Sequence, residues 1–117
     1  MKILIILNDP PYGTERVYNA MRLAMNLQKK NQDVELSVFL MGDAAGAAKS
    51  GQQTPNGYYN VERMLASVAR KGAAVLVCGT CMDARGLTVP ELIEGASRST
   101  MDELTQATVD ADKVLVF

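Results

Sequence analysis

The chain has 117 residues, 48% of them hydrophobic and 21% charged, with 12 Lys and Arg against 13 Asp and Glu and no histidine. That length fits a single domain over residues 1–117, and a net charge of −1 gives no electrostatic handle for nucleic acid or an anionic membrane. Two cysteines without an export signal imply a reducing compartment, where a standing disulfide is disfavoured and a close pair leans toward catalysis, redox or metal chemistry.

The first apolar run, Ile3 to Leu7, is far too short for a signal-peptide core or a membrane span, and Asn8 and Asp9 end it. A soluble, cytoplasmic protein is expected. Lys2 to Leu7 is β-branched without helical periodicity and predicts a buried strand, closed by the turn residues Asn8-Asp9-Pro10-Pro11-Tyr12-Gly13. Thr14 as N-cap and an apolar stripe through Val17, Ala20, Met21, Ala24, Met25 and Leu27 predict a helix from about Glu15 to Lys30. Asp33 to Leu40 predicts the second strand, and the Gly-, Ala-, Ser- and Asn-rich stretch from Gly42 to Gly57 a long loop.

Asn60 caps a second helix with Val61, Met64, Leu65 and Val68 on one face, ended by Arg70, Lys71 and a C′ glycine at Gly72. Ala73 to Val77 predicts the third strand, ending directly at Cys78, with a helical turn starting near Thr80. A short extra strand is expected near Glu94 to Ser97. Thr100 and Glu103 form a capping-box pattern for a last helix to about Asp110, before a final strand from Lys113 to Phe117.

Strands separated by helices of this length imply right-handed crossovers and a mostly parallel sheet with helices on both faces, a Rossmann-like three-layer α/β sandwich. Ligands and reactive groups in such sheets gather beyond the carboxyl ends of the strands, where Cys78 falls.

The stretch VLVCGTCMDARG, residues 75–86, holds both cysteines. A zinc site needs four ligands; with one CxxC and no histidine, only Asp83 or a second subunit could complete it, so no metal is expected. Thioredoxin-like chemistry lacks its context: the motif follows the third strand, with no tryptophan or cis-proline candidate beside it. Asn8 to Gly13 stands where a phosphate loop would be, but its two prolines lack N–H donors and no GxGxxG or GxxxxGK pattern occurs. It reads as a stiff turn at the rim of a site or an interface. Burial of Cys78 as a small hydrophobe is the plain competing reading.

A thiol becomes a useful nucleophile when its thiolate is stabilised, and exposed amides at a helix start with a nearby cation do that. If Thr80 to Arg85 is helical, Cys81 and Arg85 are i, i+4 neighbours. Cys81 is spaced to attack a persulfide or mixed disulfide on Cys78. Cys78, Cys81 and Arg85 are the candidate site.

The segments ILNDPPYGTERVYNAMRLA, VFLMGDAAGAAKSGQ, VCGTCMDARGL and STMDELTQATVDADKVLVF, in this order and spacing, resemble the DsrE/DsrF-like family, most closely its YchN-like branch. The resemblance covers nearly the whole chain. It implies a five-stranded subunit that assembles into homotrimers or homohexamers, in a family whose characterised members relay sulfur as cysteine persulfide. By position, the sulfur-bearing cysteine is Cys78, eight residues before Gly86. Those carriers use a single cysteine, whereas this chain has CGTC, as the YchN-like branch does.

The leading expectation is a cytoplasmic sulfur-relay protein exchanging sulfur with donor and acceptor proteins, without cofactor. A non-enzymatic oligomeric binding module, motivated by the small and apolar residues from Met41 to Tyr59, and a CxxC dithiol redox protein are the alternatives.

Overall fold

A computed structural model describes residues 1–117. Five strands form one sheet in the order β4-β3-β2-β1-β5: β1 Lys2–Leu7, β2 Glu35–Leu40, β3 Ala74–Cys78, β4 Ala96–Ser99 and β5 Lys113–Val116. Every pairing is parallel. The helices are α1 Arg16–Lys30, α2 Val61–Arg70, the short α3 Gly79–Ala84 and α4 Met101–Asp110.

Side chains alternate across a strand, so the register sorts them into two faces. Ile3, Ile5 and Leu7 of β1, Leu36, Val38 and Leu40 of β2, and Val75 and Val77 of β3 join one core with Val17, Ala20, Met21 and Ala24 of α1 and Val61, Leu65 and Val68 of α2. Leu4, Phe39 and Cys78 point the other way, against Leu104 of α4.

Asn60 caps α2, its side chain accepting from the Arg63 amide at 3.1 Å, and Gly72 takes the left-handed φ of 103° that ends the helix. Thr14 does not cap α1. Glu15 occupies that position without a side-chain cap, and the Thr14 hydroxyl donates instead to Asp9 Oδ2 at 3.1 Å. The expected box at α4 forms by half, Thr100 Oγ1 accepting from the Glu103 amide. A reciprocal carboxylate bond forms at Thr88, whose amide donates to Glu91 Oε1 at 2.9 Å.

Strand β2 starts two residues later than expected, because the Val34 amide closes a turn onto the Asn31 carbonyl. Strand β4 is shifted toward the C-terminus, since Glu94 and Gly95 turn, with φ of 91° at Gly95 and the Ala96 amide bonded to Ile93 O. The expected loop after β2 begins as a 3-10 helix, Gly42–Ala48, with Ala44, Ala45, Ala47 and Ala48 buried. Alanine-rich sequence there is compact enough to pack on the sheet, and Gln52 Nε2 ties it off by donating to the Ala47 and Lys49 carbonyls. No helix is long and apolar enough to cross a membrane.

Candidate functional site

Three chain segments meet at the carboxyl edge of the sheet: the turn after β1, the 3-10 segment after β2, and α3, which follows β3 without a linker. Gly42 makes this meeting possible. Its φ of 57° favours glycine, and a Cβ there would lie 3.4 Å from the Asn8 carbonyl. Its amide donates to Cys81 Sγ at 3.2 Å.

Cys78 is the last residue of β3 and the first flank of α3; its side chain is 6% exposed and packs with Leu4, Phe39 and Leu104. Its Sγ lies 3.4 Å from Thr80 Oγ1. Burial pushes the Cys78 pKa up, but hydrogen bonds from the Thr80 hydroxyl and the Cys81 thiol, aided by the backbone amides of both residues, leave it below the ordinary thiol value. Cys81, half-buried on α3, moves the other way. Its hydrogen bond to Cys78 and its burial raise its pKa, against the Gly42 amide and the Arg85 charge. The two thiols thus sit in different surroundings, Cys78 beside the Thr80 hydroxyl at the strand end and Cys81 under the Gly42 amide.

Arg85 stands one helical turn from Cys81, but its guanidinium does not bond the sulfur. Nη1 donates to the Cys81 carbonyl at 3.1 Å, while Nε and Nη2 donate to Asp43 Oδ1 at 3.0 and 2.9 Å. The contact pins α3 to the segment that delivers the Gly42 amide. Asp83, the oxygen donor nearest in sequence for a metal, is held by Arg98 through two hydrogen bonds of 2.8 and 2.9 Å, which lowers its pKa. No group of three His, Cys, Asp or Glu side chains is arranged to hold a metal ion.

Sequence reasoning missed what β4 brings. Arg98 lies flat over Gly79, where an added Cβ would sit 2.7 Å from its Cζ, so the glycine in CGTC admits the guanidinium. Ser99 is the strand partner of Cys78, is 2% exposed, and its Oγ has no hydrogen-bond partner. An unpaired buried hydroxyl costs about 1–3 kcal/mol. Nothing local in Arg98-Ser99 signals either role, because both depend on the β3–β4 register.

The turn from Asn8 to Gly13 packs Pro11 against Gly46, and Tyr12 Oη donates to Gln52 Oε1 at 2.6 Å and accepts from the Val61 amide. It supports the 3-10 segment from below. A cleft of about 620 Å³, lined partly by Gln28, Leu36 and Lys71, opens at the opposite edge of the sheet. Another of about 740 Å³ runs past Tyr18, Arg22 and Met64. Neither includes a cysteine.

Comparison with known proteins agrees with this architecture. Residues 1–117 match the sequence model of the DsrE/DsrF-like family. The chain is 41% identical over 116 residues to protein YchN of Escherichia coli, covering 99% of this chain and 98% of that one. It superposes on the YchN crystal structure with a TM-score of 0.95, over 100% of this chain and 99% of the other. The uncharacterized protein MJ0989 of Methanocaldococcus jannaschii is 37% identical over 117 residues, the full length of both. Protein MTH1491 of Methanobacterium thermoautotrophicum, of unknown function, shares the fold at 14% identity, with a TM-score of 0.78 over 99% of this chain and 97% of that one.

Proposed function

The chain belongs to the DsrE/DsrF-like family, which is associated with sulfur relay, and from that premise and its thiol pair we propose a cytoplasmic, single-domain carrier that holds sulfane sulfur as a persulfide on Cys78. The observation that carries the reading is geometric: Cys78 ends β3 at the carboxyl edge of the sheet with the Thr80 hydroxyl 3.4 Å from its Sγ, and Cys81 follows on α3 with its Sγ accepting from the Gly42 amide.

In the loading step the Cys78 thiolate attacks the outer sulfur of a persulfide donor. A bond forms between Cys78 Sγ and that sulfur, the donor's S–S bond breaks, and its electron pair leaves with the donor thiolate. The Thr80 hydroxyl and the neighbouring amides favour the thiolate. The persulfide passes to an acceptor thiolate by the same exchange. Failing an acceptor, Cys81 attacks Cys78 Sγ, sulfide leaves with the bonding pair, and the resulting disulfide awaits a dithiol reductant. Arg85 acts at one remove, holding α3 against the segment that supplies the Gly42 amide. The chemistry uses no metal or organic cofactor.

A homotrimer or homohexamer is the assembly we infer. Val114 and Val116 of the edge strand β5 share the Leu4 face and are 38% and 64% exposed, an apolar continuation of the thin core that a second copy would cover.

Intact mass after treatment with a persulfide donor tests the reading: steps of about 32 Da, one sulfur each, are expected on wild type and absent from Cys78→Ser. Unmodified wild type overturns it. A second reading, an oligomeric binding module with incidental cysteines, is favoured by the stack of Tyr12, Tyr18 and exposed Tyr58 around Tyr59, with Arg22 over Tyr18. That reading predicts two slowly alkylated cysteines, whereas a dithiol redox protein predicts a stable Cys78–Cys81 disulfide at cytosolic potentials.

A further inference from the structure

We propose that Ser99 is the hydrogen-bond donor for the sulfur carried on Cys78, its hydroxyl standing unpaired beside the cysteine until a persulfide extends toward it. The role rests on the carrier reading above, which it deepens by naming the group that holds the cargo.

Ser99 and Cys78 are paired residues of adjacent parallel strands and point to the same face. Strand spacing sets their backbones about 4.8 Å apart. Ser99 Oγ is buried without a partner, whereas Thr80 Oγ1 already lies 3.4 Å from Cys78 Sγ and serves the resting thiol. The other buried unpartnered side-chain atom, Gln28 Oε1, belongs to a side chain anchored through Nε2 to the Val68 carbonyl and lines a cleft at the opposite edge. Ser99 has no such anchor.

A buried hydroxyl without a partner is disfavoured unless some state of the protein supplies its acceptor. Loading supplies one. The transferred sulfur sits about 2.05 Å beyond Sγ and, as the anionic end of Cys78–S–S⁻, is an acceptor the resting thiol does not present. Loading is the exchange Cys78–S⁻ + RS–SH → Cys78–S–SH + RS⁻, after which the acidic persulfide proton passes to solvent. A donor that bonds only the loaded form shifts this equilibrium toward loading.

The test is the loaded fraction, by intact mass, of wild type, Ser99→Ala and Ser99→Thr equilibrated with mixtures of cysteine persulfide and cysteine. Ser99→Ala should need a roughly tenfold higher persulfide-to-cysteine ratio for half-loading, as expected for one lost hydrogen bond to an anion, and Ser99→Thr should stay near wild type. Unloaded Ser99→Ala should melt at or above the wild-type temperature, which a merely structural serine would not allow. Equal half-loading in wild type and Ser99→Ala overturns the Ser99 role alone. Wild type that takes up no sulfur overturns the carrier reading and this role with it.

Discussion

The face of the sheet under α1 and α2 is backed by a cluster of 24 buried residues, whereas the face under α4 holds a cluster of four: Leu4, Phe39, Cys78 and Leu104. The first has the continuous apolar filling on which fold stability depends. The second is a thin layer that includes Cys78, whose strand partner Ser99 carries the unpartnered hydroxyl. The contrast places the larger apolar filling on one side of the strands and Cys78 on the other, with Cys81 packed against both, so changes deep in the first should leave the Cys78 readout nearly untouched.

The largest expected effect comes from the thick side. Leu65→Ala, at a fully buried position of α2, should cost about 2–5 kcal/mol in urea unfolding, the range for a buried leucine. It should leave the alkylation rate of Cys78 unchanged in the folded protein. Leu104→Ala should cost less, since its side chain borders solvent, yet raise the Cys78 alkylation rate several-fold by uncovering the sulfur. If the two variants exchange these signatures, the division between the faces is wrong.

Thr80→Val sharpens the chemical half of the comparison. It removes the hydroxyl that helps hold the Cys78 pKa down, so the Cys78 alkylation profile should move to higher pH and its rate at neutral pH should fall by about threefold to tenfold. The sign of the linked stability follows. With its folded pKa lowered, Cys78 contributes stability present above the unfolded thiol pKa and lost as pH falls through the folded value. Cys81, raised, contributes stability present below the unfolded pKa and lost as pH rises through its own folded value. The two windows meet at the ordinary thiol value, so wild-type stability should pass through a maximum there, whereas in Cys81→Ser it should rise with pH to that value and then level off.

The smallest effect is expected at the surface pins. Asp43→Ala breaks a partly exposed ion pair with Arg85 and should cost no more than about 1 kcal/mol. Gly79→Ala should displace the Arg98 guanidinium from α3, with a comparably small loss in thermal stability.

Most of the fold was legible in the sequence because each element carries its own local signal. The run from Lys2 to Leu7, the stripe on α1 and the Asn60 cap needed no distant partner. The misplacements fall where a tertiary contact overrides the local signal: Thr14 finds Asp9 rather than the helix start, and the alanines after Gly42 fold into a buried 3-10 segment that composition alone reads as loop. Cys78 was legible as a strand-end thiol for the same local reason. Gly42, Arg98 and Ser99 were not, since sheet register and chain crossing, rather than spacing, bring them beside it.

Mapping the position of sulfane sulfur within the wild-type protein tests the central claim most directly. After exposure to cysteine persulfide, persulfide-selective tagging and peptide mass spectrometry should find the extra sulfur on Cys78 and not on Cys81; sulfur found mainly on Cys81, or on neither cysteine, would contradict it.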